Sequence, residues 1–441
     1  MVFTTDYKLE EFLLNTQWEQ LPNEVQERLR GCMLDLLGAL IAGSGSEQFQ
    51  VGVRLAKKLF QGGDIPAIGT QETFSSVGAA TAMGHSSNAY DIDDGHNLIR
   101  AHPGTSFIGG LLAAGYEKDI DAKEFLTALY VAYESTIRMG AAIMDYYQYA
   151  HSSGTFGAVG VVAGAGRIHG FTKEQMNNAL SVAEFNAPLV PGIRSVEYPS
   201  MNKDGVPFGV MVGELALQAG MCGFTGNKNL LEAEEYRHYL EDLGEKHEVM
   251  NLYFKPYPCC RWGHPAIDAC LAVMKDHGVK AEEIEKVYVE TFFKATQLSK
   301  GIPASADEAQ YNIAYPVASA IVNNGFSIAQ VEQTDDPVVH AMMEKLIFRC
   351  DEELDVQFPA KRLCRVRMEL KDGREVVSGV HEPRGEAFEN IGYDWLAEKF
   401  LYITGHKLTR AQQEELIKVL HSDGWTVRGL VSKVNEFLLS K

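Results

Sequence analysis

Positive charge is scarce in this chain. Its 441 residues hold 40 Lys and Arg against 59 Asp and Glu, a formal net charge of −19. Nucleic acid or an anionic membrane would each need a basic patch, so neither is expected as a partner. A small anion in a locally positive pocket is still compatible with that balance. Long apolar runs are also missing: none reaches the roughly 18 residues of a membrane span. The start, MVFTTDYKLEEF, has no basic head followed by an apolar stretch, so no secretory leader is expected and a cytoplasmic location follows by default. The seven cysteines are odd in number and form no C-x-x-C. That fits neither a disulfide framework nor a zinc ribbon. No short repeat and no low-complexity tract is present. What remains, 46% hydrophobic and 22% charged residues, is the composition of an ordinary globular protein.

Helical periodicity fills the first 225 residues or so. Val25 to Gly43 carries Met33, Leu34, Leu36, Leu37, Leu40 and Ile41 at turn spacing and ends in Gly. Similar segments are expected near 76–90, 107–116, 122–144, 155–168, 173–185 and 207–221. Many are rich in Gly and Ala, as in TFGAVGVVAGAG. Gly costs a helix interior about 1 kcal/mol against Ala, so repeated small residues point to close helix–helix approach. After about residue 270 the texture becomes β-rich. KVYVETFF alternates, and LCRVRMEL, Lys-Asp-Gly and REVVSGV read as a hairpin with a tight turn. Helical patterns return at 393–403 and 410–420. The expected fold is mainly α with an α+β part. A large all-α domain, 1–269 completed by 391–441, holds a smaller inserted α/β lid domain, 270–390. The acidic run 232–248 reads as a solvated helix face.

Five polar clusters could carry chemistry. The densest places Asp91, Asp93, Asp94, His96 and His102 after an Ala/Gly-rich helix. A carboxylate beside a His fixes its tautomer and raises its basicity. His151 stands before a Gly-rich helix start, a natural anion site. Lys203 and Asp204 precede another small-residue helix. A Pro-stiffened loop presents Lys255, Cys259, Cys260, Arg261 and His264. Tyr311 and Tyr315 precede a further helix. Alone, each cluster also reads as a cap, a turn or a linker. Together they suit proton abstraction next to a carboxylate: fixed cations stabilise the charge that builds there, and His or Tyr moves the proton. A metal-dependent hydrolase on Asp91, Asp93, His96 and His102 is a competing reading, and a non-catalytic carboxylate-binding protein is another.

AYDIDDGHNLIRAHPG, HSSGTFGAVGVVAGAGRIHGFT, LALQAGMCGFTG, KPYPCCRWGHPAIDA and HEPRGEAFE, in this order, resemble the MmgE/PrpD family nearly end to end. That family includes 2-methylcitrate dehydratase, cis-aconitate decarboxylase and iminodisuccinate epimerase. The resemblance implies a helical domain with an α/β lid, no cofactor or metal, a homodimer, and a small di- or tricarboxylate as substrate. It places Asp91, His102, His151, Lys203, Lys255, His264 and Tyr315 in the pocket. Asp91, His102, His151 and Tyr315 are the expected catalytic groups, and Lys203, Lys255 and His264, with Cys260 and Arg261 of the same loop, the expected substrate-binding ones. Decarboxylase-type members carry a His five positions after the Lys of the fourth motif, where this chain has Cys260. They carry Thr where this chain has Gly95, and their interval from Asp to His is one residue shorter. These departures count against cis-aconitate decarboxylation but do not choose between dehydratase and epimerase. A 2-methylcitrate-type dehydratase is the leading expectation, with an epimerase of an iminodisuccinate-like dicarboxylate as the alternative.

Overall fold

The computed structural model describes residues 1–440. Helices start where polar side chains take up free N–H groups. Asp121 accepts from the Glu124 N–H at 3.0 Å, and Thr172 with Gln175 forms a reciprocal capping box. The helix Ala122–Tyr147 is buried almost continuously from Phe125 to Ile143, as befits a helix at the centre of a body. Helices Asn23–Gly43, Ile108–Lys118 and Gly154–Ile168 pack on it, and Ser76–Ser87 and Val206–Met221 pack on those and on each other. The small residues do set their spacing. A methyl group on Gly154 would overlap the Gly205 carbonyl, and one on Gly209 would overlap the Gly154 carbonyl. The starts of these two helices therefore touch, and the Gly154 N–H donates to the Asp204 carbonyl at 2.8 Å. The late helix Tyr393–Thr404 returns to this body, with Leu396 against Gly31 and Phe400 against Gly38.

The smaller part is built on a four-stranded sheet. Its order is Leu346–Cys350, Ile284–Thr291, Cys364–Leu370, Glu375–Val377; the first pair is parallel and the others antiparallel. The Asp-Gly hairpin forms where it was expected, with Arg367 opposite Val377. Cys364, Val366, Met368 and Leu370 are buried and alternate with Arg365, Arg367 and Glu369, the period-2 pattern of a one-sided sheet. Helix His264–His277 lies on the buried face, next to Ala314–Asn323. The apolar cluster of this part takes in Tyr257, Cys259 and the buried face of helix His264–His277, and it also reaches Ala39, Ala42, Tyr90 and Ile92 of the helical body. The chain is thus mainly α with a smaller α/β part. Among the described residues no helix is long and apolar enough to cross a membrane.

The acidic run is not a helix. It breaks into short turns, Leu230–Glu232, Arg237–Leu240 and Glu248–Asn251, with Glu232 and Glu248 buried. Those carboxylates have local partners that compete with a regular helix: Glu232 accepts from the Asn229 N–H at 3.0 Å, and Glu248 pairs with Lys246 at 2.5 Å.

Candidate active site

A pairing of three residues assembles the site. Asp94–His96 lies antiparallel to Leu252–Phe254, with Asp94 opposite Phe254. This joins the DIDDGH loop to the KPYPCCR loop and sets Lys255 beside Asp91. The Lys255 Nζ donates to the Asp91 carboxylate at 2.5 Å and to its carbonyl at 3.0 Å. Asp91 has φ 49°, a left-handed backbone that non-glycine residues rarely adopt; here it lets one residue grip the ammonium twice. His102 Nδ1 lies 2.8 Å from the Asp94 carbonyl and 3.2 Å from the Asp93 carboxylate. That fixes Nδ1 as a donor and leaves Nε2 for chemistry. Nε2 sits 3.4 Å from Lys255 Nζ, 3.5 Å from Asp91 and 3.9 Å from Asp204. The Tyr311 hydroxyl donates to Asp204 at 3.3 Å.

These groups open onto one cavity of about 340 Å³. Its walls include Asp91, His102, Lys255, Asp204 and Tyr311, then His151, Cys260 and Arg261, then Arg100 and Arg362. Ile193, Val196, Trp262 and Phe358 add an apolar side.

The charges divide the cavity's groups by role. Burial and the Lys255 charge oppose protonation of His102, but Asp93 and Asp91 outweigh them and raise it to about 10. His102 is therefore an imidazolium at neutral pH. Burial likewise opposes the charge on Lys255, and Asp91 overrides it, so the ammonium is held above its ordinary range. Burial would push Asp91 up, yet Lys255 and His102 keep it below its ordinary value. His151 is the opposite of His102. Burial lowers it to about 4, and neither ring nitrogen has a hydrogen-bond partner among the described residues. It is a neutral imidazole on the cavity wall, 4.0 Å from the Tyr149 ring, centroid to centroid. Burial pushes the Cys260 thiol up to about 12, so it is no thiolate nucleophile.

The expected site residues thus separate. Asp91, His102, His151, Lys255, Cys260 and Arg261 line the cavity. Lys203, His264 and Tyr315 do not. The Lys203 ammonium is buried on the Asn88 carbonyl at 3.1 Å, the Ala89 carbonyl and the Gln310 side chain at 3.0 Å, with Asp307 at 3.5 Å. Its donors are used up, so it ties the loop carrying Asp204 to the end of helix Ser76–Ser87. His264 Nε2 lies 3.0 Å from the Cys259 carbonyl and braces the Pro-rich loop. The Tyr315 hydroxyl donates to the Gln330 and Gln333 carbonyls at 2.7 and 2.9 Å, inside the smaller part. The tyrosine at the site is Tyr311, four positions earlier, where the chain turns toward Asp204.

Two family models match the chain: the MmgE/PrpD N-terminal domain over residues 7–240 and the MmgE/PrpD C-terminal domain over 257–423. The chain belongs to the MmgE/PrpD family. Among its relatives, a cis-aconitate decarboxylase of Aspergillus terreus (strain NIH 2624 / FGSC A1156) is 24% identical, over 91% of this chain and 89% of that protein. A cis-aconitate decarboxylase of Homo sapiens is 20% identical, over 91% and 88% respectively.

In this MmgE/PrpD protein Asp91, His102 and Asp204 offer donor atoms within 4.8 Å of one another. A metal does not suit them as they stand, because the Lys255 ammonium already occupies Asp91 at 2.5 Å and faces His102 at 3.4 Å; a divalent ion there would meet an adjacent positive charge. His96, a ligand in the competing hydrolase reading, faces Glu248 at 3.4 Å instead. Asp204, Tyr311, Arg100 and Arg362 were not singled out as site residues from the sequence. The first three stand inside or beside the noted clusters; Arg362, in PAKRLCRVRMEL, carries no local signal.

Proposed function

We propose that this protein is a lyase for a small di- or tricarboxylate, working by proton transfer α to a carboxylate, with a 2-methylcitrate-type dehydration as the leading reaction. The observation that carries this reading is one cavity lined by a charged His102, a neutral His151 and a fixed ammonium, Lys255, in a chain of this family. Lys255, held by Asp91, would bind the carboxylate and stabilise the charge that builds on it as the neighbouring C–H bond breaks. Neutral His151 would take that proton. His102 would give its Nε2 proton to the departing hydroxyl, which leaves as water while the C=C bond forms. Asp93 and the Asp94 carbonyl hold the His102 ring for this. The apolar side of Trp262, Phe358, Val196 and Ile193 suits a substrate bearing an alkyl group, which favours 2-methylcitrate over citrate.

The same two histidines also fit an epimerase, which removes a proton and returns another to the opposite face with no leaving group. The test is proton NMR in D₂O with citrate, 2-methylcitrate, cis-aconitate and iminodisuccinate, before and after chelator treatment. Loss or gain of water across a tricarboxylate, unchanged by chelation, is the expected result. Deuterium entering substrate without elimination would select the epimerase, and carbon dioxide release the decarboxylation that the relatives' names describe. Binding without turnover of any of them would end the lyase reading. A homodimer remains part of the proposal. Exposed Phe185, Phe208, Leu215 and Phe224 on and around helix Val206–Met221 offer a surface for a second copy, and light scattering reads the mass directly.

A further inference from the structure

One stretch of the cavity wall is unlike the stretch that holds His102. Arg261 and Arg362 are buried there, Arg362 at 7% exposure, and Arg100 stands exposed at the mouth. Glu386 is the carboxylate that pairs with Arg261, and Arg261 also lies over the Tyr253 ring, 3.4 Å from its centroid. Among the described residues no carboxylate or carbonyl pairs with Arg362 or Arg100. Burial lowers the Arg362 guanidinium from its ordinary value, and Arg261 and Arg100 add to this against the opposing pull of Tyr253 and Glu386. A buried guanidinium with five donors and no acceptor is costly unless something supplies the acceptor. Arg100 is itself held at φ 50°, a strained backbone of the kind that gathers at ligand sites. Three guanidiniums against one carboxylate leave this stretch two positive charges in excess inside a chain of net charge −19.

We infer that Arg362, with Arg261 and Arg100 beside it, seats a second carboxylate of the substrate and makes the site selective for polycarboxylates. The inference rests on the lyase reading for its substrate class, but the anion seat stands on its own residues. A planar guanidinium matches a carboxylate in two parallel hydrogen bonds. Lys255 takes the carboxylate next to the breaking C–H bond, and the arginines take one at the other end of the molecule. A monocarboxylate would leave this stretch unfilled.

The experiment is calorimetric titration of the full chain with tricarballylate, which has three carboxylates, and with butyrate, which has one. The wild type is compared with Arg362→Gln and Arg362→Lys. Arg362→Gln should weaken tricarballylate roughly 10- to 100-fold and butyrate less than about 2-fold, with Arg362→Lys between. Its unliganded melting temperature should be no lower than wild type, since a repelled, unpaired charge has gone; a structural role would lower it. Arg100→Gln, at the exposed mouth, repeats the test if Arg362→Gln fails to fold. Equal losses for the two ligands, no loss for either, or a wild type that does not bind tricarballylate would each overturn the inference. Inorganic phosphate displacing tricarballylate more strongly than succinate does would overturn it in favour of a phosphoryl seat. Turnover of a tricarboxylate with an Arg362→Gln KM equal to wild type sinks the inference and leaves the lyase reading. Weakened tricarballylate in a protein that turns over no carboxylate does the reverse.

Discussion

The two groups of charges that line the cavity, one around His102 and one around Arg362, solve opposite problems. Around His102 every charge has a partner within the protein: Lys255 on Asp91 at 2.5 Å, and His102 between Asp93 at 3.2 Å and Asp91 at 3.5 Å. Around Arg362 the charges repel one another and the protein supplies a single counter-ion, Glu386. On the proposed reading, the groups that must stay charged for the chemistry, Lys255 and His102, are tied down by the chain. On the same reading, the arginines inferred to hold a second carboxylate are left for the ligand to complete. Binding energy realised at the second group can position the substrate for chemistry at the first.

The largest effect that would break this contrast is at Lys255. Lys255→Met should lower kcat by about 1,000-fold, the order lost when one charge-stabilising donor is removed; steady-state kinetics on the tricarboxylate that NMR identifies would measure it. A loss under tenfold would mean that this ammonium is structural. His151→Ala should cost roughly 100- to 1,000-fold and also change the pH profile. The wild-type kcat/KM should fall as pH rises through about 10, where His102 gives up its proton, and as pH falls through about 4, where His151 takes one up. The variant should lose the acid limb and keep the basic one. Asp91→Asn leaves Lys255 and His102 as facing cations without their shared carboxylate. It should cost on the order of 3–5 kcal/mol of stability by denaturant titration and move the basic limb below 10, because a carboxylate that raises His102 is gone.

Those predictions rest on contacts that the sequence shows unevenly. The helical body was legible because its signals, Gly/Ala spacing and helical periodicity, are local, and the sheet of the smaller part because an Asp-Gly turn joins two alternating strands. His102, Lys255 and Asp91 were legible as members of polar clusters. What brings them together is the pairing of Asp94–His96 with Leu252–Phe254, three residues a side, too short for any periodicity to announce. Lys203 and Tyr315 misled for the same reason. A side chain's residue type does not say whether its donors are free. Lys203 spends its donors on the Asn88 and Ala89 carbonyls, and Tyr315 spends its hydroxyl on Gln330 and Gln333. Arg362 was invisible because its partners, Arg261 and Arg100, are distant in sequence and of the same sign.

The smallest effect sharpens the boundary of the site. Tyr315→Phe should leave kcat within about twofold and cost about 1 kcal/mol of stability, the worth of its hydrogen bonds. Thermal melts and kinetics on the same preparation would check both numbers.

The contrast between the two groups is tested most directly by separating kcat from KM in two single variants on the same tricarboxylate. His102→Gln should lower kcat by at least about 100-fold with KM within a few-fold of wild type. Arg362→Gln should raise KM about tenfold or more and leave most of kcat. The same pattern in both variants would contradict a cavity with one group of charges for chemistry and the other for recognition.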